Sequence, residues 1–101
     1  MRTEYGSTAG PRTIADHLVV RGMITGDVVV ERDGFLHLYG MVDGKLRVDE
    51  GGSAVVRGTV SKDVLNAGHL EVFGMIIGRL ASTPTAETVI VPGAQINGVT
   101  R

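Results

Sequence analysis

The chain has 101 residues and a formal charge of −1, its ten lysines and arginines scattered among eleven acids. That length fits one domain with one core, and without a basic surface to track phosphates nucleic acid is not an expected partner. There is no cysteine, which excludes disulfides, thiolate metal sites and a cysteine nucleophile, and fits a reducing cytosol.

Residues 1–12 (MRTEYGSTAGPR) lack periodicity and carry Gly6, Gly10 and Pro11, so a flexible tail ending in a short cap is expected there. No apolar run follows Met1, so the start reads as neither a signal peptide nor a membrane anchor, and a cytoplasmic protein without membrane insertion is expected. Residues 13–101 are expected to form the folded domain. Between Leu18 and Leu80 a phrase of alternating apolar residues and glycines recurs four times, with central glycines at 22, 40, 58 and 74 and spacings of 18, 18 and 16. Alternation at period two predicts strands, and no window has helical spacing. Asp33-Gly34, Glu50-Gly51-Gly52 and Asn66-Ala67-Gly68 supply the turns between phrases. Residues 81–87 are too polar for a core strand, and residues 88–98 resume the theme as a partial last coil.

A sandwich or barrel would place hairpin loops without a strict period. A fixed period means a stacked repeat, here a parallel β-helix of about four to five coils in which like residues superpose about 4.8 Å apart. In that register four inward columns are aliphatic throughout: Leu18, Leu36, Ala54, Leu70; Val20, Leu38, Val56, Val72; Ile24, Val42, Val60, Ile76; and Val28, Leu46, Val64, Leu80. Val30 and Val48 extend the set. Gly22, Gly40, Gly58 and Gly74, with Gly26, Gly44 and Gly78, fall where the chain turns a corner and a Cβ is unwelcome. The end coils of such a stack are either weak points or assembly points.

Candidate chemistry is sparse. His17 and His69 share a column but read as two coils, about 10 Å, apart, and His37 lies in another, too far for imidazole–metal bonds of about 2.0 Å. Asp27, Lys45, Asp63 and Arg79 form an outward column of alternating sign, expected to pair across strands. No catalytic grouping or phosphate loop has a motif, so neither an enzyme nor a cofactor is expected. The informative outward residues flank the glycines: Arg21, Tyr39, Arg57 and Phe73 just before them, Met23, Met41, Thr59 and Met75 just after, and Ile77 two further on. Arginine, aromatic and methionine side chains are enriched where proteins bind proteins.

The V-x-G-x-V-x-G phrase, repeated about every 18 residues and closed by Val91-Pro-Gly-Ala-Gln-Ile-Asn-Gly98, resembles bactofilins, the polymer-forming bacterial cytoskeletal proteins. The resemblance covers roughly residues 14–98 and implies a right-handed β-helix that assembles end to end into nonpolar, nucleotide-free filaments and acts as a scaffold. The chain departs from that family in having fewer full coils than expected, one spacing of 16 and Lys62 in place of a glycine, and neither long tails nor a membrane-targeting start is expected of it. A left-handed hexapeptide acyltransferase is disfavoured because the six-residue beat fails. Two functions follow as expectations: a non-enzymatic scaffold partnering with itself, or a monomeric or dimeric binding module of inhibitor or immunity type that uses the Arg/Tyr/Phe/Met strip.

Overall fold

A glycine at 22, 40, 58 or 74 interrupts each alternating phrase before its first strand can lengthen, and the chain winds around its aliphatic side chains in mostly short segments. The computed structural model describes residues 2–10, 12–91 and 93–100, with the backbone alone for residues 2, 8, 9 and 97–100. Met1 and Pro11 of the expected tail, and Pro92 and Arg101 of the expected domain, lie outside the described residues.

The first coil carries β1 (Arg2–Glu4), β2 (Ser7–Ala9) and β3 (Arg12–Ile14), and the second β4 (His17–Val20), β5 (Met23–Thr25) and β6 (Val28–Val30). The third holds β7 (Phe35–Leu38), β8 (Met41–Asp43) and β9 (Leu46–Val48), and the fourth β10 (Ser53–Val56), β11 (Thr59–Val60) and β12 (Val64–Asn66). In the fifth, β13 (His69–Val72) precedes β14 (Met75–Ser82), and the last coil has β15 (Glu87–Ile90) and β16 (Gln95–Thr100). One face of the molecule is a six-stranded sheet in the order β1-β4-β7-β10-β13-β15. The other two faces, β2-β5-β8-β11 and β3-β6-β9-β12, meet in β14, which pairs with β11, β12 and β16. Every pairing is parallel, so the fold is an all-β parallel solenoid of about five turns with no helix in the described part. No helix of the described residues is long and apolar enough to cross a membrane.

The register is the one that the apolar columns predict. Leu18 pairs with Leu36, Ala54 with Leu36 and Leu70, and Val56 with Leu38 and Val72. Every member of the four columns, with Val30 and Val48, is at most 1% exposed. The uneven spacing lies in the corner that leads back to the first face. Two residues, Ala67 and Gly68, connect β12 to β13, whereas four connect β6 to β7 and β9 to β10. The four-residue corners close with i to i+3 hydrogen bonds, Gly34 N–H to the Glu31 carbonyl at 2.8 Å and Gly52 N–H to that of Asp49 at 2.9 Å. Their third residues, Asp33 and Gly51, have φ of 67° and 85°, the left-handed geometry such a turn requires.

The glycines at 22, 40, 58 and 74 are required for a different reason. Their φ is not in the left-handed region, but a Cβ on Gly40 or Gly58 would overlap the carbonyl oxygen of the glycine one coil below. Gly6 stands at the foot of this stack, under Gly22.

The N-terminal segment differs from expectation. Rather than a tail, residues 2–9 form β1 and β2, paired with β4 and β5 as the first rung. Most register positions of this first rung on the core columns are polar: Arg2 lies opposite Leu18, Glu4 opposite Val20, Thr8 opposite Ile24 and Arg12 opposite Val28, while Ile14, opposite Val30, is apolar and fully buried. A terminal coil has one side against the core and one against water, so it loses the apolar alternation by which the other coils are recognised.

Candidate protein interface

Because outward side chains of a strand alternate with inward ones, each residue just before a corner glycine stacks on its counterpart one rung away. Backbone bonds from Arg21 to Glu4, Tyr39 to Val20, Arg57 to Leu38 and Phe73 to Val56 fix that column, with Tyr5 one rung below Arg21. Ring and cation alternate along it. The Arg21 guanidinium lies 4.7 Å from the Tyr39 ring centroid, and that of Arg57 lies 4.3 Å from Phe73 and 6.0 Å from Tyr39. These are attractive distances for a cation over a ring face. Neither arginine makes an ion pair among the described residues, so their N–H edges remain available.

Three further residues, which the sequence reading did not place in the strip, enlarge this patch. His17, Phe35 and His37 form a chain of rings with centroid separations of 5.4 and 5.3 Å, and His37 reaches Tyr39 at 5.5 Å. The signal was the i, i+2, i+4 run Phe35, His37, Tyr39 on the outward side of β7. Val19 and Val55 also point outward, on either side of His37 in the ladder, yet are only 7% and 5% exposed. Their neighbours cover them, so the middle of this face is partly dry.

The methionines do not join the same plane. Met23, Met41, Thr59 and Met75 stack in register as the first residues of the next face, beyond the glycine corner. The expected strip is therefore a ridge folded over the stacked glycines, with the Arg/aromatic ladder on one flank and methionines on the other. Tyr39, Phe73, Met75 and Ile77 are its exposed hydrophobic members, at 37–47%, and Arg21 and Arg57 are exposed beside them.

The histidines sit farther apart than the sequence reading placed them. Phe35 and Ser53 separate His17 from His69 in their column, three rungs or about 14 Å. His69 lies 3.3 Å from Glu87 and 3.7 Å from Glu71. The column Asp27, Lys45, Asp63, Arg79 is not a set of side-chain ion pairs among the described residues. The carboxylates of Asp27 and Asp63 instead accept the backbone N–H of Lys45 at 3.0 Å and of Arg79 at 2.9 Å, so each aspartate caps the corner of the coil above.

Burial against the covered face, then the nearby Arg57 charge, holds the His37 imidazole below its ordinary pKa, with Glu71 acting in the opposite direction. Between that lowered value and about 6.5, the unfolded chain binds more protons than the folded one, so stability falls as pH decreases through this window. A His37→Asn variant is expected to flatten the dependence of the melting temperature on pH between roughly pH 7 and 5. Parallel curves for the variant and the parent chain would contradict this.

The C-terminal end is a second surface. Ile90 occupies the column of Val20, Leu38, Val56 and Val72, each at most 1% exposed, but is itself 41% exposed, on β15, the last strand of its sheet among the described residues. With Leu80, Thr88, Pro84 and Ala86 it lines a cavity of about 530 Å³. The polar groups beside it are largely satisfied internally: fully buried Asn66 donates to Thr88 Oγ1 and to the Glu87 carbonyl, and Ser82 bonds Thr88. Only the buried Thr83 hydroxyl lacks a partner among the described residues.

Comparison of the chain with protein-family models, curated proteins and solved structures gives no match.

Proposed function

We propose that this chain is a non-enzymatic structural scaffold, bactofilin-like and cytoplasmic, that self-assembles by stacking coil on coil. The observation that carries the reading is Ile90, a core-column residue left 41% exposed at the C-terminal end. Beside it β15 and β16 are edge strands, and unpaired edges are templates for further pairing. Another rung placed on this end would bury Ile90 and the apolar lining around it. The test is sedimentation of the parent chain against Ile90→Asp across a concentration series. Association that the substitution abolishes, with an unchanged circular dichroism spectrum, supports the scaffold; equal association in both overturns it.

A second reading has its own observation, the ladder Arg21, Tyr39, Arg57, Phe73 with unpaired guanidinium edges. In that reading the chain is a monomeric or dimeric protein-binding module, and the ladder supplies the contact. Tyr39→Glu or Met41→Glu then abolishes association while leaving the fold, and Ile90→Asp changes nothing.

A further inference from the structure

The two ends of the solenoid are chemically unlike. Glu4 and Ile90 terminate the same inward column, one at each end. At the N-terminal end the Glu4 carboxylate takes a bidentate pair of hydrogen bonds from Arg12, at 2.7 and 2.6 Å, across the mouth of the core. Both side chains keep partial contact with water, at 28% and 21% exposure. The hydrogen bond to Glu4 raises the Arg12 pKa further above its usual range, so the guanidinium of this cap stays charged at any ordinary pH.

We propose that the Glu4–Arg12 pair stops growth at the N-terminal end, so that the chain stacks only through its C-terminal coil, as a closed two-fold dimer with a second copy. This rests on the scaffold reading and specifies its geometry. A head-to-tail joint would continue each column and lay Ile90 of one copy on Glu4 of the next. That strips water from an ion pair against an apolar partner, a desolvation cost of several kcal/mol per ion. Apposing two N-terminal ends strips the remaining water from two such part-buried ion pairs and covers no exposed aliphatic residue of the core columns among the described residues. Apposing two C-terminal ends sets Ile90 against Ile90 and covers Ser82 and Thr88, which bond each other, together with Thr83, whose hydroxyl has no partner among the described residues. Such a contact is isologous and closes at two copies.

Area limits its strength. A coil of 18 residues at about 3.3 Å each encloses roughly 170 Å² as a triangle, so two copies bury about 700 Å² even if outward side chains double the footprint, short of the ~1,200 Å² of a stable interface. Hydrogen bonds between the edge strands must supply the rest, and the dimer is concentration-dependent.

The experiment is sedimentation velocity on the 101-residue chain, on Ile90→Asp and on the double variant Glu4→Leu, Arg12→Leu, each over a concentration series. The parent is expected to rise to twice the monomer mass and stop, Ile90→Asp to remain monomeric, and the double variant to exceed the parent's limit at least about twofold because both ends are then apolar. A parent that grows past the dimer overturns the stop while leaving end stacking intact. A parent that stays monomeric at every concentration overturns the scaffold reading as well. If the double leucine variant loses its strand spectrum, Glu4→Gln, Arg12→Gln removes the charges with little change of shape; this variant also has to grow past the dimer, and a limit at two copies refutes the cap.

Discussion

Gly58→Val is expected to unfold the chain. The cost lies in stacking and not in backbone torsion, since the Gly58 φ is not left-handed. Its Cβ would overlap the carbonyl oxygen of Gly40, which accepts the Thr59 N–H at 3.0 Å, while the Gly58 N–H donates to Leu38 at 2.9 Å. The obstructing atom is backbone held by the ladder, so it yields only if coils three and four separate. A loss above about 4–5 kcal/mol is expected, a large share of the 5–15 kcal/mol that a typical domain holds. The control is Lys62, an exposed residue at the next corner, in line with Gly26, Gly44 and Gly78. Lys62→Ala should lie within about 0.5 kcal/mol of the parent. Thermal unfolding followed by far-ultraviolet circular dichroism checks both, and a Gly58→Val protein that melts within a few degrees of the parent would refute the stacking account.

Leu38→Ala has the next largest expected effect. Leu38 is fully buried between Val20 and Val56 in the middle of its column, and neighbours tied into ladders on both sides cannot collapse into the space. A cost of about 3–5 kcal/mol follows, or roughly 12–40 °C in melting temperature for a domain of this size. Ile90→Ala removes a similar volume from the open end of the same column, where the side chain is 41% exposed. At concentrations that keep the chain monomeric it should cost less than about 1 kcal/mol. Equal losses at the two positions would mean that the column is not graded from a closed middle to an open end.

The contrast within that column also marks what could be read from the sequence. The inward columns of the middle coils were legible because every member is aliphatic and the period is strict, as in Leu36, Ala54 and Leu70. The first coil was not, because of its column positions only Ile14 is aliphatic, while Glu4 and Arg12 are polar and pair with each other, which a search for apolar alternation takes for a tail. Asn66 was read only as a turn signal, although it is fully buried and ties Gly68, Glu87 and Thr88 together. Its position is set by the two-residue corner that follows, a detail visible in the spacing of 16 but not assignable to one corner without the register. The ladder of Arg21, Tyr39, Arg57 and Phe73 was readable for the same reason as the core, since one period governs both sides of a strand. That the methionines lie on a different face was not, because alternation alone does not reveal how sharply the chain bends at a glycine. The aspartates at 27 and 63 looked like partners for side-chain charges because backbone N–H groups at corners leave no mark in a sequence.

If copies meet at the C-terminal coil, amide hydrogen exchange at low and high protein concentration will register the contact strand by strand. Protection is expected to rise with concentration in β15 and β16 and to stay constant in β1 and β2, where the Glu4–Arg12 pair closes the other end. Constant exchange in β15 and β16, or new protection confined to β7 and β10 beneath the arginine–aromatic ladder, would contradict it.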